Sequence, residues 1–339
     1  MIRVTHFLRR PIPGFYSIEH LYADIRAALP GDFLVDVRVS RFPSRGFWRR
    51  LFDTLNARRY QGDVNHVTGD VHFLTLLLDP RRTILTILDC VALERLTGLK
   101  RWVYWLFWFW LPEKRCAAIV VISAATRAQV IEHLRCDPAK VQLIHCHLSR
   151  EFQPAPRRFN ARRPSFLHIG TKPNKNLEGH VAALRGLACE LVVIGALTQA
   201  QRDLLDGSGL AMESLVDLSR EQVVEQYRRC DVLLFASTYE GFGLPIVEAQ
   251  ATGRPVVTSR LWSMPEVAGP GACLVDPLDV ASIRAGIDRI LEDEAYRERL
   301  VSLGFENVRR FDLATIADQY AELYRTVQAR VPLGSRGRA

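Results

Sequence analysis

DVLLFASTYEGFGLPIVEAQATG, residues 231–253, reads as a strand, a glycine-bearing turn and a helix in immediate succession. DVLLFAS (231–237) is a short apolar run, as expected of a parallel strand buried on both faces. Gly241-Phe242-Gly243 follows, then Leu244-Pro245 and a helical segment that stops at Gly253. Proline suits a first helical turn because the amide it lacks would be unpaired there anyway. Glycine just past the last turn is a common helix stop. The glycines of the turn let backbone approach a ligand closely, and the free N–H groups of the helix start form an anion site. Strand, turn and helix in this order form the unit of a doubly wound α/β sheet.

Two acids flank the turn, Glu240 before it and Glu248 one turn into the helix. Side chains tilt towards a helix N-terminus, so the Glu248 carboxylate lies over the first turn, where the macrodipole tolerates it. Phosphate oxygens would repel a carboxylate, whereas the hydroxyls of a vicinal diol would donate to it. A sugar nucleotide has phosphates in the middle and a sugar at each end, and it fits this layout. A second element, HIGTKPNKNLEG (168–179), follows a strand and leads into a helix with Asn174 or Asn176 as its N-cap. Lys175 at that helix start is a point charge suited to a diphosphate.

Outward from these motifs the same alternation continues. Strands are expected at 2–8, 33–39, 63–68, 83–88, 117–123 and 141–145, then at 165–170, 190–195, 231–237, 254–259 and 272–276. FQPAPRRFNARRP (152–164), with three prolines and four arginines, marks a break. The domains expected are 1–153, a linker at 154–164, 165–312, a helix at 313–330 packing back on the first domain, and a flexible tail at 331–339. The helix has apolar residues at Leu313, Ile316, Ala317, Tyr320, Leu323, Tyr324 and Val327, which is helical spacing. Ligands in such sheets bind beyond the carboxyl ends of the strands, which predicts a site in a cleft between two facing domains.

Composition agrees with a globular chain of 339 residues, 48% hydrophobic and 24% charged. Seven cysteines without a CxxC pair read as reduced and cytosolic. The N-terminus lacks the long apolar core of a signal peptide. Residues 1–160 hold 24 Lys/Arg against 14 Asp/Glu, a net +10, and residues 161–339 hold 21 against 23, a net −2, so the excess behind the overall +8 lies in the first half. Such a half suits an anionic partner, whether membrane surface, phosphorylated substrate or nucleic acid; no nucleic-acid recognition motif accompanies it. RWVYWLFWFWLP (101–112) is too short to span a bilayer, which takes roughly 20 residues. It reads as a buried aromatic helix or as an interfacial one, with Lys100 and Arg101 beside it. His145-Cys146-His147 has no partner pair at zinc spacing, so no metal is expected.

E-G-F-G-L-P-I-V-E at 240–248, with G-T-x-x-N-K-N upstream and P-x-V downstream, resembles the retaining glycosyltransferases of family 4, the glycosyl transferases group 1. The resemblance is strongest over about residues 160–310 and implies the GT-B fold of two facing Rossmann-like domains. It implies a donor that is a UDP- or GDP-linked sugar and no cofactor. It puts Glu240 near the donor hexose hydroxyls, Glu248 on the nucleotide ribose, and Gly241, Phe242, Gly243 and Leu244 against sugar and phosphates. Lys175 falls on the diphosphate with Gly170, Thr171 and Asn174 around it, and Gly14 lines the opposite side. Two departures stand out. Thr171 occupies the place of a second cation, which Lys172 is positioned to replace. Leu88-Asp89 stands where many relatives carry His-Asp, leaving Asp89 in the catalytic set and Asp70 or His72 as acceptor-side candidates. No Asp-x-Asp occurs in the chain, so a metal-independent transfer is expected. The acceptor expected is a glycan or a lipid-linked glycan of the cell envelope, met in the cytoplasm or at the inner face of the plasma membrane. A nucleotide-sugar epimerase of the same fold and a non-enzymatic basic-surface binder are the alternatives. A glycoside hydrolase would explain the two acids but not the phosphate-type turn, and Ile246 replaces the third glycine of a dinucleotide fingerprint.

Overall fold

The computed structural model describes residues 1–11 and 17–330. The expected positions at Gly14 and in the 331–339 tail lie outside the described residues. The chain divides into two compact units, Met1–His147 with the segment from Leu313 onward, and Leu148–Asp312.

Unit 1 carries β1 (Ile2–Leu8), β2 (Phe33–Val39), β3 (Val64–Thr68), β4 (Thr83–Ile87), β5 (Ala118–Val121) and β6 (Val141–Leu143) in the order β2-β1-β3-β4-β5-β6. Unit 2 carries β7 (Ser165–Ile169), β8 (Glu190–Ile194), β9 (Ala211–Leu215), β10 (Val232–Phe235), β11 (Val256–Ser259) and β12 (Cys273–Val275) in the order β12-β11-β10-β7-β8-β9. All pairings are parallel. β4, β5, β10 and β11 are buried along their whole length, which is why their sequences are largely apolar runs rather than alternations; β3, VNHVT, is as deeply buried but carries Asn65, His66 and Thr68 inside.

The chain has one strand more than its apolar runs suggest. β9, AMESL, is the free edge of its sheet and half exposed, so it carries Glu213 and Ser214 and gives no apolar signal. The helix Leu313–Ala329 buries Leu313, Ile316, Ala317, Tyr320, Ala321, Tyr324 and Val327 and lies against the helix Ser17–Ala28.

The stretch rich in proline and arginine is not a free linker. Asp231 accepts from Arg157 Nε (3.1 Å), Asn160 N (3.2 Å) and Ser165 N (2.9 Å), tying it to unit 2. The division therefore falls at Leu148 rather than within 154–164. All seven cysteines are buried free thiols. Among the described residues no helix is long and apolar enough to cross a membrane.

Candidate functional site

Renumbered within unit 2, the sheet order is the 3-2-1-4-5-6 of dinucleotide-binding folds, reversing between β7 and β10. The loops leaving these two strands carry the residues of interest. After β7, Gly170 takes a positive φ of 89°, and a Cβ there would meet the Lys175 side chain at 3.0–3.3 Å. Lys175 can therefore fold back over Gly170. Its Nζ lies 2.7 Å from Glu240 Oε1 and 4.7 Å from the centre of the Phe235 ring. Both partners are largely screened from solvent.

Three side chains fix this pair. Asn174 donates to the Tyr239 carbonyl (3.0 Å), and its own carbonyl accepts from Thr238 N (2.8 Å). Ser263 Oγ lies within hydrogen-bond distance of the carbonyls of Glu240 (2.9 Å) and Phe242 (2.8 Å). Asn176 donates to the carbonyls of Ala236 (3.1 Å) and Pro277 (2.7 Å). Neither asparagine caps the helix Leu177–Leu184 through its side chain; Asn176 stands at the cap position with φ 59° and spends its amide across the loop. Asparagine tolerates that left-handed conformation better than most residues.

The second motif forms as its sequence suggests. Gly243, with φ 104°, precedes the helix Leu244–Ala251, and Pro245 sits in the first turn. Phe242 is buried edge-to-face against Phe311, with ring centres 5.5 Å apart. Gly241 and Leu244 are half-buried. Glu248 is half-buried one turn into the helix and accepts a short hydrogen bond from the Tyr227 hydroxyl. Desolvation pushes its carboxyl up to about 7, while the Tyr227 bond, Arg220 and Lys175 hold it back. Near neutral pH Glu248 therefore carries a proton about half the time, which softens its repulsion of a phosphate. A diol donating to the carboxylate would select the ionised form. Nucleotide affinity is thus expected to rise between about pH 6 and pH 8 in the native chain and to be flat for Glu248→Gln, read by calorimetric titration. Parallel pH profiles would contradict this role.

Sequence reasoning missed four residues here. Tyr227 and Arg220 belong to the helix Arg220–Arg229, whose sequence reads only as a polar, charged segment. His168 and His180 are both buried, and their Nδ1 atoms lie 2.8 Å apart. His168 Nε2 must donate to the Gly170 carbonyl (2.7 Å), and His180 Nε2 must accept from Ala236 N (3.1 Å). One proton assignment satisfies all three contacts: His180 donates from Nδ1 to His168 Nδ1, and both rings are neutral. This chain runs beneath the site from the loop after β10 to the loop after β7. The signal available was a histidine within β7 and another twelve residues later, which spacing alone does not pair.

The remaining candidates divide. The Thr171 hydroxyl donates to the Ala196 carbonyl (2.6 Å), and Lys172 is exposed. Asp89, Asp70 and His72 belong to unit 1. Asp89 Oδ1 accepts from Val91 N (3.0 Å) just past β4. Asp70 is exposed and its carbonyl accepts from Trp108 Nε1 (3.2 Å). His72 does not offer itself to an acceptor. It is buried, its Nδ1 donates to the Trp108 carbonyl (2.6 Å), and burial lowers its pKa. Apolar neighbours on the aromatic run claim it as a packing residue. His147 of the His-Cys-His stretch is likewise buried, 3.2 Å from the Leu21 carbonyl. Among the described residues no group of three or more His, Cys, Asp or Glu side chains is arranged to hold a metal ion.

Comparison with known proteins converges on one group. Residues 149–306 match the family described as Glycosyl transferases group 1. The chain is similar to the O-antigen chain mannosyltransferase B of Escherichia coli, with 32% identity over 174 residues, which are 47% of this chain and 45% of that protein. It is also similar to the MMP alpha-(1->4)-mannosyltransferase of Mycolicibacterium hassiacum, 39% identical over 118 residues, 34% of this chain and 29% of that protein. The matches span less than half the length of these curated relatives. In fold, the chain matches Anabaena Alr3699/HepE, solved in complex with UDP and glucose, with TM-score 0.76 and 16% identity over 96% of this chain and all of that one. WaaG, a glycosyltransferase involved in lipopolysaccharide biosynthesis, matches with TM-score 0.72 and 13% identity over 95% of this chain and 99% of that one. The two parallel sheets are those of the GT-B class, and it is residues 149–306 that are similar to the glycosyl transferases group 1 family.

Proposed function

We propose that this chain is a retaining, metal-independent glycosyltransferase of family 4 that moves a hexose from a UDP- or GDP-linked donor to a glycan or lipid-linked acceptor. The observation that carries the reading is the Lys175–Glu240 pair at the strand-order reversal, with Glu248 one turn into the neighbouring helix. The similarity to an O-antigen chain mannosyltransferase supports a role in cell-envelope polysaccharide assembly, in the cytoplasm at the inner face of the plasma membrane.

The chemistry follows from charge. Breaking the bond between the anomeric carbon and the diphosphate builds negative charge on the leaving phosphate and positive charge on the sugar ring. A diphosphate would compete with Glu240 for the Lys175 ammonium, and the amides of Gly243, Leu244 and the next turn would meet its oxygens. Glu240, bonded in place through its backbone, would accept from the hexose hydroxyls and balance the developing ring charge. The departing diphosphate would lie close enough to the anomeric carbon to take the acceptor's proton on the same face, which retains configuration. Glu248 would accept from the ribose hydroxyls.

Glu240→Gln keeps the shape and removes the charge. Turnover is expected to fall roughly a hundredfold, the scale of a lost preorganised electrostatic contact. Affinity for the nucleoside diphosphate alone is expected to stay within a few-fold. The readout is release of nucleoside diphosphate from the donor in the presence of acceptor. Unchanged turnover would remove Glu240 from the mechanism.

A further inference from the structure

We propose that unit 1 docks on an anionic lipid bilayer through two neighbouring helices, Phe47–Ala57 and Gly98–Trp105 with its continuation to Trp110. The first helix is inside out. It buries Asp53, Thr54 and Ala57 and presents Phe47 (68% exposed), Trp48 (77%), Phe52 and Leu55 to the outside. Trp48, Phe52 and Leu55 stand at i, i+4 and i+7, one stripe of the helix. A helix facing only water would carry its polar residues there.

The second helix repeats the pattern. None of its residues from Gly98 to Trp105 is buried, and Leu99 (75%), Trp102, Val103 and Phe107 are exposed. The aromatic run thus divides its labour: Phe109 is buried, and Trp105, Trp108 and Trp110 pack against the core, leaving Trp102 and Phe107 outside. Arg50 joins the two elements, with its guanidinium 4.3 Å from the Trp108 ring.

Charge decides what covers this surface. Residues 41–60 hold six arginines and one acid, and that acid, Asp53, is buried on the amides of Arg41 (3.0 Å) and Phe42 (3.3 Å). Arg41, Arg45, Arg49, Arg58, Arg59, Lys100 and Arg101 are all exposed. Exposed Trp and Phe among arginines match the headgroup region of an anionic bilayer, where rings enter the interface and cations meet lipid phosphates. A second copy of the chain would place this cationic surface against itself and be repelled.

The test is co-sedimentation of the full chain with vesicles of phosphatidylcholine alone and of phosphatidylcholine with phosphatidylglycerol, at low and high salt. Binding is expected only to the anionic vesicles, and weaker at high salt. Arg45→Gln/Arg49→Gln/Arg58→Gln is expected to reduce partitioning about a hundredfold, from roughly tenfold or less per arginine near the surface. Trp48→Ser/Phe52→Ser is expected to reduce it at least about tenfold. Both sets are exposed, and an unchanged thermal midpoint confirms that the fold is kept. No binding to anionic vesicles, equal binding by the variants, or a dimer in light scattering that Trp48→Ser dissolves would each overturn the proposal. The outcome does not depend on whether the chain transfers sugar.

Discussion

Lys175→Ala is expected to weaken binding of a nucleoside diphosphate roughly a hundredfold, and of a monophosphate by less. Two losses add. The ammonium is the one cation paired to Glu240 in the loops leaving β7 and β10, and hydrogen bonds to charged groups contribute about 1.5–3 kcal/mol each. Its removal also leaves the largely shielded Glu240 carboxylate facing the phosphates without a counter-charge. Lys175→Arg is a poor rescue. The lysine stem folds over Gly170 in a space where even one added Cβ would lie 3.0 Å away, and a planar guanidinium is bulkier than an ammonium. Calorimetric titration with UDP, GDP and their monophosphates reads the difference. Equal losses for diphosphate and monophosphate would place Lys175 elsewhere on the ligand.

Mild acid is expected to unfold unit 1 far more readily than ionic screening would suggest. His66 and His6 are fully buried in a network of Tyr324, Thr86 and Tyr22, at contact distances of 2.7–2.9 Å. Desolvation lowers the pKa of His66 to about 3, and that of His6 well below its ordinary value. The unfolded chain takes up these protons from about pH 6.5 downward, whereas the folded chain does not. Stability therefore rises with pH across this window and is lost as pH falls. The loss steepens as pH falls and approaches about 1.4 kcal/mol per pH unit for each histidine about one unit below the unfolded pKa. His168, lowered to about 4, and His180 act in the same sense in unit 2. Glu248, raised to about 7, acts oppositely there, because the folded state holds a proton that the unfolded state releases above its ordinary carboxyl pKa. The net loss in unit 2 is accordingly smaller than in unit 1 over the same window. Scanning calorimetry at pH 7 and about pH 5 checks this. A midpoint unchanged between the two would contradict the buried neutral histidines.

The stretch 231–253 was legible because each local rule agreed with its neighbours. The apolar run, the glycines, the proline and the stop at Gly253 fix strand, turn and helix without tertiary information. Tertiary placement was not legible in the same way. Asn176 reads as a cap yet serves as a cross-loop donor, because the carbonyls of Ala236 and Pro277 come near it only once the sheet has formed. His72 reads as a site residue after a strand, but the aromatic run folds onto it from more than thirty residues away. The helix Phe47–Ala57 shows its spacing in the sequence, but which face turns outward depends on Asp53 capturing the amides of Arg41 and Phe42.

The central claim is that the loops after β7 and β10 hold a nucleotide-linked hexose. Titrating the native chain with UDP- and GDP-linked hexoses and with the free nucleotides tests it most directly. One base is expected to bind, and its hexose-linked form is expected to bind in a manner weakened by both Lys175→Ala and Glu248→Ala. No binding of either nucleotide series, or binding that neither substitution changes, would contradict the account.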